Sequence, residues 1–509
     1  MIPGTDIVDL SRLQFALTAL YHFLFVPLTL GLSILLAIME TVYVMTGRKI
    51  WQEMVQYWGV LFGINFVLGV ATGLTMEFQF GTNWSYYSHY VGDVFGAPLA
   101  LEGLSAFFLE ATFVGLFFFG WKKLTRLQHL TTTWLLAFAT NLSALWILIA
   151  NGWMQNPVGA AFNFQTMRME VTSFSEIIFN PVAQAKFVHT ISAGYVTGAV
   201  FVLAISAYFL LRGRHQAFAQ RSMTVAIAFG LAASLSVVVL GDESGYVANS
   251  NQKMKIAAME AMWHTEKAPA SLTLFGIPDE QQMKTKYAIE VPYVLGIIAT
   301  RSFDKPVIGI SELIEEGKQN IREGILAYGA LTRIQNNPQD PQAKIDFAAH
   351  GQYLGYGLLL KKYTNTVVDA TEEQISLAAQ SLKPNVSSLF FSFRIMVACG
   401  LFFIFLFGTG FYLNVHRKAH NTRWYLRMCF WALPLPWIAA ELGWVVAECG
   451  RQPWVVQGIL PTFMATSSLN LSQLITSLSG FFIFYTVLAI IEVFLLVKYI
   501  KIGPQESLA

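Results

Sequence analysis

The chain has 509 residues, 55% hydrophobic and only 13% charged, with a formal net charge of +2 and a mean hydropathy of +0.50. Soluble domains carry about 25% charged residues, and nucleic-acid binders are strongly basic, so both classes are excluded. Three cysteines (Cys399, Cys429, Cys449), no Cys-x-x-Cys-His, and a sole Gly-Lys pair at Gly317-Lys318 followed by Gln319 exclude four-thiolate iron–sulfur clusters, covalent haem attachment and a phosphate-binding P-loop.

A bilayer core needs about 20 mostly apolar residues per helix. Nine segments meet that need, at roughly 14–45, 57–80, 95–121, 129–153, 184–211, 221–243, 387–413, 428–448 and 471–499. The first is too long for a signal-peptide apolar region and follows no basic stretch, so it is expected to be retained. One set of connections holds Arg48 and Lys49; Lys122, Lys123 and Arg126; Arg212, Arg214 and Arg221; Arg417, Lys418 and Arg423; and Lys501. The alternate set holds only Arg12, Arg168 and Arg451, with Lys186 just inside the following helix. Positive charge marks the inner side, which predicts an outer N-terminus and an inner C-terminus, as nine crossings require.

Residues 246–385 carry 29 of the 64 charged residues. This is a hydrophilic outer, periplasmic insertion, too long to be a mere connection. It contains helix-like stretches such as Ile310 to Leu331, with Asn336-Asn337-Pro338 as a breaker. The expected organisation is an all-α integral membrane protein. Transmembrane helices one to six occupy 1–245, the outer loop 246–385, and helices seven to nine 386–509. No internal repeat is evident, unlike an inverted-repeat transporter.

Ionisable groups inside a bilayer are costly and mark function. Here they are His22, Glu102, Glu110, His189, Glu441 and Glu448, with Arg394 and Met396 near the start of the seventh segment. His22, Glu102, His189 and Met396 lie roughly 8–14 Å below the outer end of their helices at about 1.5 Å per residue. Glu448 sits at the outer end of the eighth. Each has an ordinary reading as well: an interhelical hydrogen bond for either histidine, gap filling for Met396, and pairing with Arg394 or Arg451 for Glu102 or Glu448. Imidazoles and a thioether at one depth suit haem iron; a carboxylate is a less usual ligand.

Glu102 and Glu110 are about 12 Å apart along an ideal helix and about 80° around it. They could belong to one inward polar path, which Ser143 on the next segment could join; alternatively both are neutral buried acids. Glu441, Trp444 and Glu448 share a helix face, where a tryptophan is more often core than cofactor contact. Lys255 and Glu260 read as an ordinary solvated pair on a helix. Arg12 and Arg451 are plausible partners for haem propionates, since arginine binds carboxylates bidentately.

Long ordered motifs carry a further reading: SRLQFALTALYHFLFVPLTLG (Ser11 to Gly31), GLTMEFQFGTNWSYYSHYVGDVFGAPLALEG (Gly73 to Gly103), NGWMQNP (Asn151 to Pro157), KFVHT (Lys186 to Thr190), GDESGY (Gly241 to Tyr246), FRIM (Phe393 to Met396) and GRQPW (Gly450 to Trp454). In these, and over nearly its whole length, the sequence resembles subunit I of the cytochrome bd quinol oxidases. The resemblance implies two b haems, one low-spin and one high-spin, and one haem d. His189 and Met396 would hold the low-spin haem with Arg394 beside it, and His22 and Glu448 would serve the high-spin pair. In relatives with a long outer loop, His22 would hold haem d and Glu448 the high-spin b haem. Glu102 would then lie at or on the haem d iron, and Trp444 between haems. KIAAME (Lys255 to Glu260) matches the segment whose Lys and Glu are implicated in quinol oxidation, within a quinol-binding loop of the long type.

The implied activity is a quinol:oxygen oxidoreductase of the bacterial inner membrane. Quinol is oxidised outside and O2 is reduced to water with protons from inside, so a proton motive force arises without pumping. The resemblance also implies a subunit II and, in some relatives, small single-helix subunits. A proton-coupled secondary transporter is the main rival, since it would use the same buried carboxylates without haem; a non-catalytic scaffold and a haem–copper oxidase fit less well.

Overall fold

The computed structural model describes residues 5–504. Among these, nine helices are long and apolar enough to cross a membrane: Ile7–Thr46, Lys49–Thr82, Ser85–Phe119, Arg126–Gln155, Phe174–Leu211, Gln216–Asn251, Val386–Val415, Arg423–Cys449 and Leu471–Ile502. They coincide with the nine apolar segments of the sequence. Several run further than the apolar runs alone, because polar residues continue a helix wherever something else covers them.

The sixth span shows this best. It extends to Asn251, past residue 246 at which the hydrophilic insertion is expected to begin. Its Asp242 and Glu243 are held by Arg301 of the insertion at 3.3 and 2.5 Å, and the same guanidinium lies 4.1 Å over the Tyr246 ring.

Several spans depart from regular helix, among them the first, third and eighth. The first breaks between Thr5–Phe23 and Val26–Thr46, where Pro27 supplies no N–H. Side chains meet two carbonyls at this break: Trp437 Nε1 donates to Leu24 O (2.7 Å), and Asn65 Nδ2 to Phe25 O (2.9 Å), which also accepts from the Thr29 N–H. The third contains Pro98 and then a π-helical stretch, Glu102–Phe107, so the angle expected between Glu102 and Glu110 on an ideal helix does not hold. The eighth divides into Arg423–Trp431 and Leu435–Cys449 around Pro434.

The bundle core joins Leu32, Trp58, Phe62, Phe209 and Phe407, all fully buried. The first and fifth spans approach closely at Gly31, Gly194 and Gly198; a Cβ on Gly198 would lie 2.6 Å from Gly31 Cα, the small-residue packing expected in lipid.

The insertion folds as helices with one antiparallel hairpin. Helix Ile310–Asn336 ends where the Asn-Asn-Pro breaker predicts. Strands Leu272–Asp279 and Lys284–Val291 form the hairpin, which the sequence reading does not foresee. Ala257, Ala258, Trp263 and Ile310 of the insertion share a core with Leu389 and Phe390 of the seventh span. Lys383 and the Val386 N–H both bond Glu280. The insertion is therefore fastened to the seventh helix where the chain re-enters the bundle.

Candidate functional site

The first and fifth spans meet the eighth at Trp444, and the seventh approaches the neighbouring Gly443. The Trp444 ring stacks on Phe23 at 4.4 Å, beside His22 in the last turn of the first helix. Lys186, three residues before His189, lies 5.2 Å over the same indole. Its neighbour Gly443 faces Met396: a Cβ there would come within 3.1 Å of the thioether sulfur. Glu448 follows one turn later on the same helix. The elements bearing His22, His189 and Met396 thus converge on the Gly443–Trp444 stretch of the helix that carries Glu448.

Two further glycines face candidate ligands. A Cβ on Gly73 would lie 3.0 Å from His22 Cε1, and one on Gly241 3.2 Å from His189 Cε1. Among the described residues, His189 and Met396 make no hydrogen bond or ring contact with each other. Each lies instead against its own glycine.

Glu448 is the centre of a polar node. Arg451 Nη2 bonds one of its oxygens at 2.5 Å. The other accepts from Asn151 Nδ2 (3.1 Å) and Gln155 Nε2 (3.3 Å), with Lys186 Nζ at 3.7 Å. Lys186 also donates to Asn151 Oδ1, and Lys255 donates to Gln155 Oε1 (2.7 Å) and Gln252 Oε1 (2.8 Å). Arg451 and Lys186 thus face one carboxylate, and Lys255 reaches it through Gln155. Arg451 is buried, yet its Nε and Nη1 have no partner, nor has either oxygen of Glu441. Buried polar groups are rarely left unpaired, so a further anionic or polar partner is expected here.

Lys255 and Glu260 correct the sequence reading. They are not a solvated pair: both are buried, and each bonds elsewhere. Glu260 caps helix Lys253–Met259, and residues five apart on a helix point about 140° from each other, so the two do not share a face. Glu260 pairs with Arg394 at 2.9 Å. Burial pushes its carboxyl pKa up, against the lowering by Arg394. Burial, aided by Lys186 and Arg451, holds the Lys255 ammonium well below its usual value.

Arg394 also donates to the Met259 carbonyl at 2.9 Å and the Thr273 carbonyl at 2.5 Å. It serves the insertion rather than the Met396 face, because two residues on a helix point about 200° apart. Arg12 does not join the node; it is exposed beside Asp9 at 3.4 Å. Ten residues before His22, it lies about 15 Å along the helix and about 80° off that face.

Ser143 donates to Glu102 Oε1 at 2.7 Å. Glu110 lies deeper and buried on the same span. Sequence reasoning missed Lys186, Asn151 and Gln155 as site residues. The last two stand one turn apart in the motif NGWMQNP, which was the available signal. It also missed a buried pair, Glu40 with His129 at 2.6 Å, although Glu40 interrupts an apolar run.

These residues fit haem. Unpaired arginine nitrogens await carboxylates, glycines leave space against both histidines and the thioether, and Glu448 and Lys186 keep 32% and 17% of their side-chain surface. The profile of the family described as "Cytochrome bd terminal oxidase subunit I" matches residues 10–504. The chain is 53% identical over 500 residues to "Cytochrome bd-II ubiquinol oxidase subunit 1" of Escherichia coli (strain K12), covering 98% of this chain and 97% of the relative. It is 36% identical over 499 residues to "Cytochrome bd ubiquinol oxidase subunit 1" of Bacillus subtilis (strain 168), covering 98% and 94%. The structure of bd oxidase from Geobacillus thermodenitrificans superposes with a TM-score of 0.79, covering 99% of this chain and all of that one at 24% identity, which supports the fold alone. These findings displace the transporter reading, and the chain belongs to the cytochrome bd terminal oxidase subunit I family.

Proposed function

We propose that this chain oxidises quinol against its outer insertion and reduces oxygen within the outer half of the bundle, as the haem-carrying subunit of a respiratory quinol:oxygen oxidoreductase in the bacterial inner membrane. The observation that carries this reading is the convergence of the first, fifth and seventh spans on Gly443 and Trp444 of the eighth, with candidate ligands from each. His189 and Met396 would hold a low-spin haem b, Glu448 a high-spin haem b, and His22 haem d with Glu102 at its iron. Bound haem supplies the route for electrons from quinol and the iron at which oxygen is reduced.

The protein groups divide the remaining work. Arg451 and Lys186 offset carboxylate charge at the node, where a low dielectric strengthens each interaction. Lys255 and Glu260, both buried with displaced pKa values, are suited to receive quinol hydroxyls and their protons. Ser143 donates to Glu102, and Glu110 stands between that pair and the inner side, where a titratable relay is needed. With the insertion outside and the C-terminus inside, electrons and protons meet from opposite faces. Each elementary charge separated stores about 2.3 kcal/mol per 100 mV without a pumping motion. A subunit II completes the oxidase, and small single-helix subunits belong to the same proposal.

The test is spectroscopic. In the purified complex, His189→Ala and Met396→Leu should each abolish the low-spin b signal in reduced-minus-oxidised spectra while high-spin features persist. A retained low-spin signal in both variants would rule out this axial pair.

A further inference from the structure

His22 is held by one hydrogen bond whose direction can be deduced. Its Nδ1 lies 2.9 Å from Thr72 Oγ1. The Thr72 hydroxyl hydrogen is already directed to the backbone carbonyl of Gly69 (2.9 Å) or Leu68 (3.0 Å). A hydroxyl has one proton; directed to either carbonyl, it leaves Thr72 as the acceptor and His22 Nδ1 as the donor, which is the tautomer a metal-ligating histidine adopts. The neutral ring then presents its Nε2 lone pair.

Thr72 is itself fully buried and fixed. Tyr485 of the ninth span donates to the Thr72 carbonyl at 2.6 Å, and Thr75 bonds the same phenol oxygen at 2.8 Å. Gly73, the next residue, gives the imidazole room that any Cβ would restrict. The second span therefore sets both the tautomer and the orientation of the ring, and the ninth span holds that turn in place.

We infer that Thr72 is the positioning residue that makes His22 a haem ligand through Nε2. Partners of this type, one bond removed from the metal, fix the tautomer and raise ligand basicity, and removing them typically costs 10–100-fold in metal affinity or activity. The inference rests on the reading of His22 as a haem ligand. It adds a residue on another helix, invisible in the spacing of ligand-capable side chains.

The experiment uses the purified oxidase complex with Thr72→Val, Thr72→Cys, Thr72→Ser and His22→Ala. The iron–histidine stretch by resonance Raman and the haem content per protein are measured, with the low-spin b signal as a gauge of folding. Thr72→Val should lower the stretching frequency and weaken retention of the His22-held haem roughly 10–100-fold, leaving the low-spin signal intact. Thr72→Ser should restore both. Acceptor strength falls from Ser through Cys to Val, so the stretch should fall in that order. If the valine variant assembles no haem, the Ser and Cys variants still decide. A native stretch in the Val or Cys variant, or a series without that order, overturns the role of Thr72. Loss of the haem in His22→Ala alongside a native Thr72→Val would leave the ligand assignment standing and remove Thr72. Retention of the same stretch in His22→Ala would remove both.

Discussion

Gly443→Ala isolates the cradle from the ligand. The added Cβ would stand 3.1 Å from the Met396 sulfur, whereas carbon contacts are comfortable at about 3.5–4.0 Å. The thioether must retreat by several tenths of an ångström. Metal–ligand distances tolerate only about 0.2 Å, so under the proposed ligation by Met396 the displacement would be felt at the bond to iron more than in packing. Overpacking costs about 1–3 kcal/mol, while Gly→Ala inside helix Leu435–Cys449 returns about 0.8–1 kcal/mol. Global stability should therefore change little. A strain of about 1–2 kcal/mol carried by the ligand bond corresponds to roughly 5–30-fold weaker ligation. Since Met/His ligation raises haem potential, the assay is a redox titration of the low-spin b band, followed with magnetic circular dichroism. The expected result is a lower midpoint and a partial shift to high spin, with unaltered thermal stability. Gly241→Ala, pressing on the stiff His189 ring at 3.2 Å, should do more. An unchanged midpoint and spin state in both variants would refute the argument that these glycines shape the low-spin site.

Glu110→Gln should slow oxygen reduction and charge transfer while every haem band remains; normal turnover in time-resolved electrometry would take Glu110 off the proton path. For the insertion, burial raises the Glu260 pKa, so its basic form grows as pH rises through that displaced value. Quinol kcat/KM should climb over the same interval, and Glu260→Gln should flatten the climb. A mutant that keeps the rising limb would show that another group takes the proton. Arg451→Gln should lose the high-spin b band while keeping the low-spin one. Removing one partner of a buried ion pair costs about 3–5 kcal/mol, and here about 2 kcal/mol is expected because Asn151 and Lys186 still serve Glu448. A spectrum with all bands at full strength would contradict a structural role for Arg451 in the node.

Apolar runs of spanning length made the nine crossings legible, because the thickness of the hydrocarbon core sets that length. Helix ends were not, since they depend on what covers them: Asp242 and Glu243 remain helical under Arg301. Pro27 announces a break, but the groups that make it tolerable, Trp437 and Asn65, lie far along the chain. Ligand-capable side chains could be read from depth alone. Their partners could not. Lys186 counted in the sequence only as a charge near a helix end, and its bond to Asn151 exists only after folding. Lys255 and Glu260 look solvated in a hydrophilic stretch, and it is the packing of that stretch onto the seventh span that buries them.

The two amides of the fourth span point the same way. Lysine can only donate and a carboxylate can only accept, so Asn151 and Gln155 each turn oxygen toward a lysine and nitrogen toward Glu448. Neither can flip end for end without setting N–H against ammonium and C=O against carboxylate. The pair behaves like two compass needles in one field: a change of charge on Lys255 in the insertion alters the pull on Gln155, and with it the grip on Glu448 one layer below. The extramembrane and intramembrane halves are in this sense electrically in register, through neutral side chains that carry no charge of their own.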